Sequence, residues 1–337
     1  MTPVAPMEAL LADELPEGAG WQFEPKWDGF RCIAVRAGTD VDLWSKSGKP
    51  LGRYFPEVVE MFARLEARDF IIDGELLIVT EGAVSFDALQ LRLHPAESRV
   101  RKLAAATPAM VVAFDCLGLN GAVLGSKAFA DRRAILERML AGESDPSLHL
   151  SPATTDRNKA LGWLERTGGA LDGVIAKRLD LSYRPGERAM VKVKQRRTAD
   201  CVVGGFRYAT RSKLVGSLLL GLYDDAGLLH HIGFTSSIAG RDRAAWTEEL
   251  ESLVEAPGFT GNAPGGPSRW ATERSTEWCP LKPALVVEVL YDQVTAGRFR
   301  HGTRLLRRRP DKAPGQCTMK QLAPPLTPSQ LKQLMRA

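Results

Sequence analysis

Six consecutive residues carry the strongest chemical signal in this chain: Lys26-Trp27-Asp28-Gly29-Phe30-Arg31. They put a lysine in a tight turn between a strand-like Trp21-Gln22-Phe23-Glu24 and a second strand-like Arg31-Cys32-Ile33-Ala34-Val35. A lysine amine attacks phosphorus only after losing its proton, which an ordinary pKa of about 10.4 makes hard. A neighbouring cation, a metal ion or partial burial makes it easier. Asp28 can position the amine or hold a metal. Gly29 permits a sharp turn and close approach to a ligand, and Arg31 can fork onto a sugar hydroxyl or a phosphate. The chemistry suggested is a lysine nucleophile that takes a nucleotide onto its own amine. An Asp-Gly hairpin with a surface lysine fits the same six residues equally well.

Further along, Asp73-Gly74-Glu75 interrupts the apolar run from Phe70 to Ile78. Carboxylates in mid-strand are costly to bury unless a partner such as a ribose hydroxyl or a metal compensates them. Phe114-Asp115 closes the expected strand from Ala109 to Asp115, where an aromatic ring can stack on a base or simply fill a core. Asp172-Gly173 leads into Val174-Ile175-Ala176-Lys177, so Asp172 can offer oxygen to a hard divalent cation or begin an ordinary turn. Val191-Lys192-Val193-Lys194 places two lysines on one face of a strand. A polyanion between them relieves their repulsion, although lysines also guard exposed edge strands.

These residues need elements to hold them. β-Branched and apolar content predicts strands at 21–25, 30–36, 41–45, 70–79, 109–116, 172–178 and 188–195. Helices are expected at 56–67, 85–92, 129–141 and 156–167, the first with Pro56 near its start and Val58, Val59, Phe62 and Leu65 on one face. The fold class read from this is α+β, with helices packed on mixed antiparallel sheets. Near residues 196–200 the pattern changes to strands at 201–208, 215–223, 228–235, 286–293 and 303–308, with one helix at about 240–255. Five strands and a helix suit a small Greek-key barrel of the OB type. The organisation expected is residues 1–197, then a barrel at 198–315, then a tail at 316–337 with a short helix at 327–336. Pro257, Gly258, Gly261, Pro264, Gly265, Gly266 and Pro267 mark 256–277 as a long loop.

Composition bounds the function. At 337 residues, 44% hydrophobic and 25% charged, this is an ordinary globular chain of about two domains. No stretch approaches the roughly 20 apolar residues of a membrane span. The acidic first segment does not read as a signal peptide. Five scattered cysteines without a C-x-x-C pair read as reduced thiols of a cytoplasmic protein, with no structural zinc. Residues 1–197 hold 27 Lys+Arg and 27 Asp+Glu; residues 198–337 hold 18 and 13, the whole net charge of +5. Arg298, Arg300, Arg304, Arg307, Arg308, Arg309 and Lys312 face one acid, Asp311, in a stretch suited to a polyanion partner or to a solvated rim.

Taken in order, Lys26, Asp73-Gly74-Glu75, Phe114, Asp172-Gly173, Lys192/Lys194 and Arg309-Pro310-Asp311-Lys312 resemble the motif set of covalent nucleotidyltransferases. These are the ATP-dependent DNA ligases, RNA ligases and mRNA capping enzymes. Phe23 to Arg31 and Arg298-Phe299-Arg300-His301 look most like bacterial ATP-dependent DNA ligases of the end-joining type, in the short stand-alone ligase C form. The resemblance implies a nucleotidyltransferase domain followed by an OB-fold barrel, ATP with Mg²⁺ or Mn²⁺, and duplex DNA with nicks or breaks as partner of a monomer. It implies Lys26 as the adenylated lysine and Glu24 at the adenine. Arg31 and Glu75 are implied at the ribose, Phe114 stacked on the base, and Lys192 and Lys194 at the α-phosphate. Asp172 and Glu75 would hold metal, and Arg309, Asp311 and Lys312 would orient the departing pyrophosphate. Lys46, Arg53, Arg307 and Arg308 would contact DNA. Asp172 stands where the family often has Glu, and Ser45-Lys46-Ser47-Gly48 has lysine in place of the family's arginine, without its bidentate fork. An RNA-joining or GMP-capping enzyme and an inactive nucleic-acid-binding scaffold are the alternative readings.

Overall fold

The computed structural model describes residues 4–80, 83–165, 171–195, 197–265, 277–295, 297–300, 302–322, 330 and 333–334. The chain forms two units, Met1–Gln195 with Pro325–Ala337, and Arg196–Pro324.

In chain order the first unit contains β1 (Glu8–Ala12), β2 (Trp21–Trp27), β3 (Phe30–Ala37), β4 (Asp40–Ser45), α1 (Pro56–Arg64), β5 (Asp69–Thr80), β6 (Ala83–Val84), α2 (Phe86–Arg92) and α3 (Glu97–Ala106). It continues with β7 (Ala109–Leu119), β8 (Ala122–Val123), α4 (Phe129–Leu140), β9 (Leu148–Leu150), α5 (Arg157–Glu165), β10 (Leu171–Arg178) and β11 (Arg188–Val193). One sheet has the order β1-β11-β10-β2. The other runs β4-β3-β5-β7-β8, with β6 on β5 and β9 on β7. Only Asp28 and Gly29 separate β2 from β3, yet the two strands belong to different sheets. The Asp28-Gly29 turn is therefore a crossover between sheets and not a hairpin, and Lys26, expected in the turn, lies within β2.

Side-chain alternation makes β5 two-faced. Ile72, Leu76 and Ile78 join a core with Val58 and Phe62 of α1 and Leu136 of α4. Leu77 points the other way, into a core with Phe23 and Trp27 of β2, Val112 of β7 and Val174 of β10. Burial on both faces explains the near-continuous apolar run in this strand. It also puts Asp73 and Glu75, in step with Leu77, on the face toward the four-stranded sheet. α1 forms because Pro56 opens it and Val58, Met61 and Phe62 recur on one buried face. Truncating fully buried Phe62 to alanine is expected to cost about 3–5 kcal/mol.

The second unit contains β12 (Arg197–Tyr208), β13 (Val215–Tyr223), β14 (Leu229–Thr235), α6 (Arg243–Ser252), β15 (Cys279–Pro280), β16 (Val286–Tyr291), β17 (Val294–Thr295), β18 (Arg298–Phe299) and β19 (Arg304–Arg308). The strand order β14-β13-β12-β16-β19 is closed by a parallel bridge between Thr235 and Thr303. Thr303 N donates to Phe234 O at 3.0 Å, and Thr235 Oγ1 donates to Thr303 O at 2.8 Å. A five-stranded barrel with its helix between the third and fourth strands is an OB fold. Phe206, Trp246, Leu250 and Phe259 lie in its core.

Some expectations are corrected. β7 does not end at Asp115 but runs to Leu119, so Phe114 lies within a strand. β11 ends at Val193, leaving Lys194 beyond it. The sheets are mixed as expected, antiparallel except where β1 pairs with β11 and β9 with β7 in parallel. β1, α3 and β9 were not expected. β1 carries exposed Leu10 and Leu11 without alternation and is a strand only because β11 accepts it as an edge. The second unit extends past residue 315: Cys317 is buried in the barrel core and its carbonyl accepts from Tyr223 N at 2.8 Å. Most of the expected 327–336 helix, residues 266–276 of the long loop, and His301 lie outside the described residues. No helix among the described residues is long and apolar enough to cross a membrane.

Candidate active site

The crossover is built on two glycines. A Cβ on Gly29 would lie 2.1 Å from Leu76 O, because the chain passes directly against β5 as it changes sheets. Gly173 pairs in register with Lys26, has φ +139°, and a Cβ there would lie 2.1 Å from Val193 O. These close approaches bring Asp172 to the lysine. Lys26 Nζ lies 2.6 Å from Asp172 Oδ2, and Lys194 Nζ reaches the same oxygen at 3.1 Å.

A cavity of about 220 Å³ opens between the two sheets beside Lys26. The four-stranded sheet contributes Glu24, Lys26, Ile175, Lys177 and Lys192, and the other sheet contributes Arg31, Glu75 and Phe114. Lys46, from the turn after β4, also lines it and pairs with Glu8 at 3.2 Å. Six of the seven residues expected at nucleotide or lysine chemistry thus meet in one cleft; Lys194 reaches it through Asp172.

Charge in the cleft is arranged for an anion. Burial and the nearby ammoniums of Lys26, Lys194 and Lys46 push the Lys192 amine below its usual pKa. Four lysines so placed, against Asp172 and Glu8, are relieved when phosphate arrives. At the inner end Glu24 is almost fully buried and accepts from Lys177 Nζ at 2.8 Å and Gln22 Nε2 at 3.0 Å. Burial lowers the Lys177 pKa although Glu24 and Asp115 pull it upward. The Lys177 ammonium and the Arg31 guanidinium sit 4.4 and 4.6 Å from the centre of the Phe114 ring.

Asp73 is turned to a different use from a ribose or metal ligand. Arg31 forks onto it with two bonds of 2.5 Å. Glu75 accepts from Gly29 N at 3.2 Å, and burial pushes its carboxyl up to about 7 against the pull of Arg31 and Lys26. Ionised Glu75 therefore opposes folding at alkaline pH, and its protonated form does not. Glu75→Gln is expected to melt above the wild type at pH 8 and to lose that advantage as the pH falls to 5. Thermal melts of the ligand-free protein at both values check the sign.

The remaining candidates are distributed. Arg53 is exposed, donates to Pro95 O at 2.9 Å and lies outside the cleft. In the barrel, Arg309 and Lys312 meet on Asp200, at 2.7 and 2.5 Å, and Arg309 also binds Asp311. Arg307 pairs with Glu288 at 2.6 Å. Arg308 points elsewhere, stacked 3.9 Å from the Trp246 ring centre and paired with Glu249 at 2.6 Å. Arg307→Ala is expected to reduce the salt slope of nick binding by about one unit. Arg308→Ala should mainly lower stability, by about 0.5–1 kcal/mol for the lost ring contact. Equal salt slopes in the two variants would contradict this division. Sequence reasoning missed Lys177, Tyr183 and Asp200; the only local hint was Lys177 closing the Asp172 motif.

A lysine held against a carboxylate, lining a cleft rich in lysines and ahead of an OB barrel in the chain, places the protein among the covalent nucleotidyltransferases. Comparison with known proteins narrows the class. Residues 6–194 match the ATP dependent DNA ligase domain, and residues 211–312 match the ATP dependent DNA ligase C terminal region. The chain belongs to the ATP-dependent DNA ligase family. It is 44% identical to DNA ligase C2 of Mycolicibacterium smegmatis over 342 residues, covering 96% of each chain. It is 42% identical to DNA ligase C of Mycobacterium tuberculosis over 346 residues, covering 98% of this chain and 96% of the other. Among solved structures, the ligase domain of M. tuberculosis LigD aligns with a TM-score of 0.50 at 30% identity, over 94% of this chain and 98% of that one. Family membership implies ATP and a divalent cation, with nicked DNA as substrate.

Proposed function

We propose that this chain is a DNA repair ligase that seals nicks or breaks in duplex DNA by three phosphoryl transfers, acting as a cytoplasmic monomer. The observation that carries the reading is the Lys26–Asp172 pair at 2.6 Å beside the cleft. In the first transfer Lys26 Nζ bonds to the α-phosphorus of ATP and the bond to pyrophosphate breaks. The lysine proton has an acceptor in reach, Asp172 Oδ2. In the second, a 5′-phosphate oxygen at the nick takes AMP and frees the amine. In the third, the 3′-hydroxyl attacks the activated phosphate and AMP departs. Positioning and charge stabilisation govern all three.

Phe114 stacks on adenine, with Glu24 at its edge; Arg31 and Glu75 hold the ribose, and Lys192 and Lys194 hold the α-phosphate. Among the described residues no group of three or more His, Cys, Asp or Glu is built to hold an ion. Asp172 and Glu75, with the nucleotide's phosphates, suit a small hard cation that binds through few carboxylates. Mg²⁺ or Mn²⁺ there supplies neutralisation of phosphate charge. Lys46, Arg53 and Arg307 contact the duplex, whereas Arg308, expected beside them, is spent on Trp246 and Glu249.

Intact mass of the purified protein after ATP and Mg²⁺ tests the first step. An increase of about 329 Da on Lys26 is expected for covalent lysine catalysis. A GMP adduct instead, or sealing of RNA but not DNA nicks, would overturn the assignment. Asp172→Ala is expected to weaken metal-dependent sealing more than DNA binding without ATP. Loss of DNA affinity with an unchanged metal dependence would refute its role.

A further inference from the structure

The hydrogen bonds behind Arg31 lead to a residue outside the ordered motifs. Asp73 is fully buried, and a buried carboxylate is costly unless both oxygens are paired. Arg31 Nε donates to Oδ1 at 2.5 Å, and Arg31 Nη2 and the Tyr183 hydroxyl donate to Oδ2 at 2.5 and 2.7 Å. The Tyr183 hydroxyl in turn accepts from Met7 N at 2.8 Å, and Arg31 Nη2 reaches Met7 O at 3.3 Å. The tyrosine ring packs in an apolar cluster with Met7, Ile33 and Met190. One hydroxyl thus joins the segment entering β1, the centre of β5 and the connection from β10 to β11. Among the described residues Arg31 Nη1 alone, of the three guanidinium nitrogens, makes no hydrogen bond, and Arg31 lines the cleft.

We propose that Tyr183 is a positioning residue for nucleotide recognition: through Asp73 it fixes the plane of the Arg31 guanidinium for the ribose hydroxyls. This rests on the nucleotide-transfer reading of the Lys26 cleft. A free arginine would lose rotamer freedom when the nucleotide binds; the clamp removes that loss beforehand. Without the hydroxyl, Asp73 Oδ2 keeps one donor fewer in a site closed to water, and Met7 N loses its acceptor. The carboxylate is then free to shift, and the guanidinium with it.

The test is Tyr183→Phe in the full chain, which keeps the ring. The rate of AMP transfer to Lys26 is measured against the concentration of ATP, 2′-deoxy-ATP and 3′-deoxy-ATP. Half-saturation by ATP is expected to rise about tenfold, the effect of a weakened hydrogen bond to a charged group. The limiting rate should change by less than about twofold, because uniform binding is what is lost. The preference for ATP over at least one deoxynucleotide should shrink by a similar factor. Equal weakening of all three nucleotides means a merely structural tyrosine and overturns the proposal, as does unchanged half-saturation. Asp73→Asn should show the same loss of hydroxyl preference, and decides the matter if Tyr183→Phe does not fold. A wild type that prefers ATP to neither deoxynucleotide also refutes the proposal. A wild type that takes AMP from none of them refutes the underlying nucleotide reading, a separate result.

Discussion

Lys26→Arg is expected to abolish formation of the AMP adduct, with a loss on the order of 10⁴-fold or greater, as for other covalent nucleophiles. Arginine keeps the positive charge and can still pair with Asp172, but it is effectively never deprotonated and so never becomes a nucleophile. Lys26→Ala should match it, because the missing property in both is a free amine. The variants should nevertheless seal a nick that already carries AMP on its 5′-phosphate, since the last transfer uses the 3′-hydroxyl as nucleophile. Both reactions are to be measured on one preparation, with a melting curve to show that the fold is intact. Normal adduct formation by Lys26→Arg would remove the nucleophile assignment.

The barrel variant Asp311→Ala with Lys312→Ala is expected to show the second large effect, a fall in self-adenylation of about 100-fold or more, the scale of a lost transition-state charge contact. In-line attack requires the leaving pyrophosphate opposite the lysine amine. The residues proposed to orient it are preassembled within the barrel: Lys312 and Arg309 share the Asp200 carboxylate, and Arg309 also holds Asp311. Gln321 fastens Asp200 from the other side, accepting from its backbone N at 3.0 Å. Sealing of a pre-adenylated nick should stay near the wild-type rate, because pyrophosphate has no part in it. If both reactions fall equally, these residues serve DNA binding or folding, and the separate role of the barrel in the first step is wrong.

Particular residues show how far the amino-acid order reached. The helix expected at 85–92 is present as α2, where Ser85 Oγ caps the first turn by accepting from Ala88 N at 3.2 Å. β12, β13, β14, β16 and β19 follow the β-rich runs closely because the apolar residues of those runs fill one barrel core. β1 escaped because its pairing comes from β11, far along the chain, and its own residues carry no period-2 pattern.

The sequence alone determined the lysine and its acidic neighbours, the order of the motifs, the α+β unit and the barrel, since residue type and short-range spacing set these. Only the tertiary structure decided that the Asp28-Gly29 turn crosses between sheets, because nothing local distinguishes an Asp-Gly crossover from a hairpin. It also decided that Asp73 serves Arg31 and Tyr183, that Lys177 backs Glu24, and that Asp200 gathers Arg309 and Lys312. Tyr183 and Asp73 are separated by 110 residues, and Lys312 and Asp200 by 112. A buried charge takes whichever partner the packed sheets bring within reach of its oxygens, and that choice is made by folding, not by neighbours in the chain.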